Sequence, residues 1–282
     1  MASSRRLGRQ VANGLFVAFC AATTAIALAA LGAILYSLLK QGLGGINLAV
    51  FTMDTPAPGS PGGLANAIIG SLMICALAMV IAVVVGVLAG TWLAEYGGDH
   101  WYAKVVRFLN DVLLSAPSIL IGVAVSYFMV AHLLHHFSGY AGAVALALIA
   151  IPLITRTTED ILKLQPTSLR ESGVALGAPV WVGIRKIMWR AAAGGIVTGG
   201  LLAFARISGE AAPLLFTALN NQFRSLDMSR PMANLPVVIF NFALSAYDDW
   251  RRLAWVAAIL ITAAVLATQI IARILIREPR RS

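Results

Sequence analysis

The chain has 282 residues, 59% of them hydrophobic and 12% charged, with a mean hydropathy of +0.83. Those values lie far outside the range of soluble globular domains and define an integral membrane protein. Its net charge of +9, from 21 Lys and Arg against 12 Asp and Glu, does not point to nucleic acid, because the basic residues flank apolar runs instead of clustering with exposed aromatics. Cys20 and Cys75 both fall inside apolar runs and suggest neither a disulfide scaffold nor a metal site.

A polar start with Arg5, Arg6 and Arg9 precedes an apolar run from Val11 to Leu39. That run is too long for a signal-peptide core and predicts a first spanning helix kept in the mature protein. Pro56 to Gly63 reads as an exposed Pro- and Gly-rich loop. Further spans are expected over Asn66 to Tyr96, Val105 to Leu134 with a kink at Pro117, Ala141 to Thr155, Ala191 to Leu219, and Leu253 to Ile276, giving six. Leu235 to Leu244 is too short to cross and predicts an interfacial or re-entrant piece. The chain divides into residues 1–62, holding the N-terminal tail, first span and outer loop, and a core of five spans over 63–282 with a large polar loop at 159–190. With the N-terminus inside, the short inner segments carry fifteen Lys and Arg against five outside, which predicts both termini in the cytoplasm.

The run from Gly194 to Leu219 carries Arg206 and Glu210 near its middle, four residues apart and so expected on one helical face. An ionised side chain in hydrocarbon costs ~2.5 to 3.5 kcal/mol on insertion scales, so such residues face a bundle interior or a water-filled path. The planar guanidinium of Arg206 suits a bidentate oxyanion contact. Glu210 repels an anion unless it pairs with a cation or accepts a proton from a partly protonated one; a structural Arg206–Glu210 ion pair is the alternative. Ser208, between them, sits in Arg-Ile-Ser-Gly-Glu and not in a Gly-x-Ser-x-Gly elbow, which argues against a hydrolase.

In the loop between the fourth and fifth spans, Pro166 to Leu176 predicts a short amphipathic helix ended by Gly177. Gly86 with Gly90, and Gly195 with Gly199, form small-xxx-small faces for close helix packing. His132, His135 and His136 at the outer end of the third span have helical spacing, read as an interfacial cluster in preference to a metal site, and Asp248 and Asp249 as solvated loop charges.

Glu171-Ser172-Gly173, then Gly177, then Ile187, has the spacing of the EAA loop of ABC importer permeases. Ser172 and Gly173 replace the two alanines, and Trp189-Arg190 replace the later Leu-Pro. Thr91 to Tyr96, Ser115 to Gly122 and Ala205 to Phe216 also look like the corresponding stretches of PstA-type permease subunits of phosphate importers. The resemblance covers Gly63 to the C-terminus and rests most on Arg-Ile-Ser-Gly-Glu-Ala-Ala-Pro-Leu-Leu-Phe. It implies an all-α membrane protein with the type I ABC importer permease (MetI-like) fold in a bacterial inner membrane. It further implies a substrate path lined by Arg206, Glu210 and Ser208, and an ATPase-coupling set of Arg170, Glu171, Ser172, Gly173 and Gly177.

The implied partners are a PstC-like second permease subunit, a PstB-like ATPase pair and a PstS-like extracytoplasmic phosphate-binding protein. The chain lacks a Gly-x4-Gly-Lys-Ser/Thr loop, so ATP and Mg are expected on the ATPase subunits. Permeases for sulfate or molybdate, and a secondary transporter, are the alternatives; no internal repeat supports the last.

Overall fold

The computed structural model describes residues 2–276, with side chains over 8–274. Among the described residues all regular structure is helical. In chain order these are α1 (Ala2–Gly42), a short α2 (Leu48–Thr52), α3 (Ala65–Glu95), α4 (Trp101–Ser115), and α5 (Ser118–Val125), which continues as a π-helix to Leu134. Then come α6 (Gly139–Lys163), α7 (Thr167–Ala175), α8 (Val180–Gly183) running through a π-helical turn into α9 (Trp189–Ser208), α10 (Ala212–Thr217), α11 (Leu235–Ala243) and α12 (Asp248–Ile276).

Five helices are long and apolar enough to cross a membrane, over Gly8–Gly45, Ala65–Glu95, Gly139–Lys163, Val180–Ser208 and Asp248–Ile274. The pair α4 and α5 with its π continuation is long and apolar enough only when taken together as one span, and the two are bent by 104°. The bend falls at Pro117: Ala116 is extended, with ψ 134°, because the proline ring disfavours a helical residue before it.

At the centre lies α6, whose Ala141, Ala143, Ala145, Ala147 and Ala150 are buried. The two small-residue faces both pack on it. A Cβ at Gly86 or Gly90 would strike Ile154, Thr155 and Thr158, and one at Gly195 or Gly199 would strike Ile161 and Thr157. Lipid tails are as apolar as Leu, so close backbone approach, not apolar burial, is what favours helix association here. In contrast α1 is exposed along most of its length and meets α12 only near its end, where Gly42 lies against Trp255 and Ile259.

Two spans differ most from the sequence expectation. The fourth span continues to Lys163, because Glu159–Lys163 and Arg156–Asp160 pair at i,i+4 and carry the helix past its apolar part. The fifth starts earlier, at Val180, and stops at Ser208 instead of reaching Leu219. Pro213 has no N–H for the carbonyl of residue 209 and its ring crowds the preceding turn, so the apolar run is cut into α9 and α10.

The expected short piece is α11. It starts with Leu235 N donating to Ser71 Oγ at 2.7 Å, close to the start of α3, and returns to the same end, where Phe242 stacks on Trp250 of α12 at 4.2 Å. That end is tied by polar contacts: Asn66 Nδ2 donates to Thr55 Oγ1 and to Asn221 O, both at 2.8 Å, and Arg224 pairs with Asp54 at 3.0 Å. The other, basic end gathers Arg107, Arg156, Lys163 and Arg170. Arg277, Arg280 and Arg281 of the charge count, and the side chains of Arg5 and Arg6, lie outside the described residues.

Candidate functional site

Arg206 occupies the last turn of α9 and is exposed, whereas Glu210 lies beyond the helix end and is half-buried. They do not share a helical face, and among the described residues neither side chain makes an ion pair. The structural ion pair considered from the sequence is therefore not formed. The antiparallel register that sets Gly195 against Ile161 and Gly199 against Thr157 brings residue 206 level with residue 150, near the middle of α6. Arg206 thus stands at mid-depth of the bundle, at the break between α9 and α10, exposed on a face that no helix among the described residues covers.

Close contacts flank the break. Ser208 Oγ donates to Phe204 O at 2.6 Å, closing the end of α9, and Gly122 of α5 lies so close to Pro213 of α10 that a Cβ would come within 2.5 Å of its Cα. Ser208 faces a different side from Arg206, into an apolar crevice beside Ser71 and Cys75 of α3 and Leu260 and Ile261 of α12.

At the basic end α7 forms as the sequence predicts. Pro166 precedes its first turn, and Gly177, at φ +69°, ends it: Gly177 N donates to Val174 O at 2.9 Å and Ala178 N to Gly173 O at 3.1 Å, satisfying the last carbonyls. Gly173 is buried, 3.4 Å from Ile187 at the position a Cβ would take, and so seats α7 on the start of the fifth span. Glu171 and Ser172 are exposed, Ser172 Oγ turning back to Leu169 O at 2.8 Å. Val174 and Leu176 are 65% and 83% exposed, an apolar surface that α7 presents away from the bundle.

Arg170 points the other way. Its guanidinium donates from Nε and Nη2 to the Glu95 carboxylate at 3.0 and 2.9 Å, and to the carbonyls of Leu162 and Gln165 at 2.8 and 3.2 Å. The Glu95 hydrogen bonds hold the Arg170 proton more tightly than usual. Sequence reasoning gave Glu95 no role; its signal was one carboxylate ending an otherwise apolar helix. It also missed Arg107 of α4, which donates to Glu159 Oε1 at 2.7 Å and to Gly98 O and Leu93 O at 3.0 Å.

The remaining candidates are absorbed locally. His132 Nδ1 lies 2.7 Å from Tyr127 O, His135 is left-handed at φ +59° beyond the helix end, and among the described residues no cluster could hold a metal. Asp249 accepts from Gly59 N at 3.1 Å and Asp248 pairs with Arg251.

A membrane bundle broken at mid-depth beside an exposed arginine, with a short helix at one end, is an architecture suited to a membrane permease subunit. The family model described as "binding-protein-dependent transport system inner membrane component" matches residues 82–281. The chain belongs to that family and is a multi-pass inner-membrane component.

It is 52% identical over 248 residues to the phosphate transport system permease protein PstA of Yersinia pestis, covering 88% of this chain and 84% of that one. It is 53% identical over 241 residues to the PstA of Pasteurella multocida, covering 86% of each. A solved structure of the MetNI methionine ABC transporter in inward-facing conformations matches with a TM-score of 0.63 over 75% of this chain and 93% of that one, at 19% identity, and shows the shared fold.

Proposed function

We propose that this chain is a permease subunit of an ATP-driven phosphate importer and that Arg206 contacts the anion on its way through. The observation that carries the reading is an exposed arginine at mid-depth of a membrane bundle, beside a break in its helix. In hydrocarbon that position is costly, so the uncovered face of α9 meets water or a second subunit; a discontinuous helix at the midplane is a recurrent way to build a substrate site. Relatives at about half identity carry phosphate in their names, and this is the substrate we assign. In this reading Glu210, half-buried at the same break, accepts a hydrogen bond from the proton that phosphate carries and sulfate at neutral pH does not.

In this reading the path forms between this chain and a PstC-like subunit, a PstS-like protein delivers phosphate at the end bearing α11, and a PstB-like ATPase pair holding ATP and Mg docks on Glu171, Ser172 and the apolar face of α7. Both termini lie in the cytoplasm with the basic end. The test is uptake of radiolabelled phosphate at low external concentration in cells lacking this chain, complemented with wild type, Arg206→Lys or Arg206→Ala at equal abundance. Wild type restores uptake that excess sulfate does not compete; Arg206→Ala loses roughly tenfold or more, as expected when a charged partner of a desolvated anion is removed, and Arg206→Lys keeps part of it. Normal transport by Arg206→Ala removes Arg206 from the path.

A further inference from the structure

The last turn of α3 is gripped from two directions at the basic end. From α7, Arg170 spans 75 residues of sequence to reach Glu95, whose side chain is 8% exposed. From α4, Arg107 donates to Leu93 O in the same turn. Both guanidinium groups also bind α6: Arg170 through the carbonyl of Leu162, Arg107 through the carboxylate of Glu159. Trp189 Nε1 adds a hydrogen bond to Thr91 Oγ1 at 3.0 Å, holding α9 to the same part of α3.

The geometry points to the Glu95–Arg170 pair as the joint through which displacement of α7 is passed to α3, making Glu95 and Arg170 positioning residues of the transport cycle. α7 follows α6 in the chain through Leu164–Pro166 and leads on through α8 into α9, whereas among the described residues its hydrogen bonds to α3 run through the side chains of Arg170 and Glu95. The pair is suited to bear a load because its fork is bidentate, which fixes angle as well as distance, and because the Glu95 side chain is only 8% exposed.

Beyond it the contacts are continuous. α3 and α6 are locked by their small-residue packing, Arg107 ties both to α4, and α4 leads through the Pro117 bend into α5. There, Gly122 bears on Pro213 beside the break that carries Arg206. A contiguous path is no proof of coupling, so the test must separate transmission from bracing.

The inference rests on the importer reading. The experiment uses the complete complex of both permease subunits, ATPase pair and binding protein in proteoliposomes, in a Cys20→Ser, Cys75→Ala background, and follows phosphate uptake and ATP hydrolysis together. Arg170→Ala and Glu95→Gln assemble with their partners and go on hydrolysing ATP, but import roughly tenfold less phosphate per ATP, the scale of an ordinary coupling between sites; Arg170→Lys, which keeps charge without the fork, is intermediate.

Glu95→Cys with Arg170→Cys behaves like the single variants until bridged by a bifunctional methanethiosulfonate, which restores uptake because the link is mechanical. Variants that import at the wild-type ratio, or whose uptake and hydrolysis both fall only in proportion to assembled complex, overturn the joint and leave a brace. Failure of the bridge to restore uptake overturns it as well. A wild-type complex that imports no phosphate overturns the importer reading and the joint with it.

Discussion

Glu159 keeps its carboxylate 3% exposed between Arg107 Nε at 2.7 Å and Lys163 Nζ at 2.6 Å. The Lys163 contact is readable from i,i+4 spacing, but the Arg107 contact is not, since 52 residues separate the two. Removing one partner of a buried pair leaves the other's charge uncompensated. Glu159→Ala is therefore expected to cost about 3 kcal/mol, the low end for such changes because Lys163 is half-exposed, and to lower the midpoint of thermal unfolding of the detergent-solubilised protein, with Glu159→Gln losing less. Arg206 is the opposite case: it has no partner among the described residues, and its loss should leave the unfolding midpoint unchanged while abolishing uptake. The pair of measurements separates a charge kept for the fold from one kept for transport.

Among the elements, α7 and the α9–α10 break show how local rules compete. α7 ends where Gly177 adopts φ +69°, a conformation that a side chain disfavours by about 1 kcal/mol. Gly177→Ala should loosen its last turn, read as faster hydrogen exchange at the amides of residues 177 and 178, which bond back to Val174 and Gly173. Further up, Gly70 of α3 lies against the Ala233 backbone, so that an added Cβ falls on its carbonyl oxygen. Gly70→Val is predicted to destabilise by about 2 kcal/mol, as overpacking does, and to lower the same unfolding midpoint. The fifth span was misjudged from its apolar run because hydropathy says that a segment can lie in the membrane and not that it is one helix. Pro213 was the visible signal, of the same kind as Pro117, which did predict a kink where the 104° bend falls.

For the molecule as a whole, the short-loop charge asymmetry carries an orientation that labelling can check. Lys40→Cys, at the end bearing α11, should react with a membrane-impermeant maleimide in intact cells, and Lys104→Cys, at the basic end, only after permeabilisation; the reverse pattern inverts the topology.

The number of crossings, the small-residue faces, the amphipathic helix at Pro166 to Leu176 and the odd arginine at 206 follow from the sequence alone. Each depends on hydropathy, helical period or the cost of a lone charge in hydrocarbon, and these act over a few neighbouring residues. The tertiary structure decided the rest: that both glycine faces meet on α6, that Glu210 leaves the face of Arg206, that Ser208 turns towards α3 and α12, and that Arg170 faces Glu95. Those outcomes depend on which residues, far apart in the chain, the packed helices bring within hydrogen-bonding distance, and no local property of the chain encodes that choice.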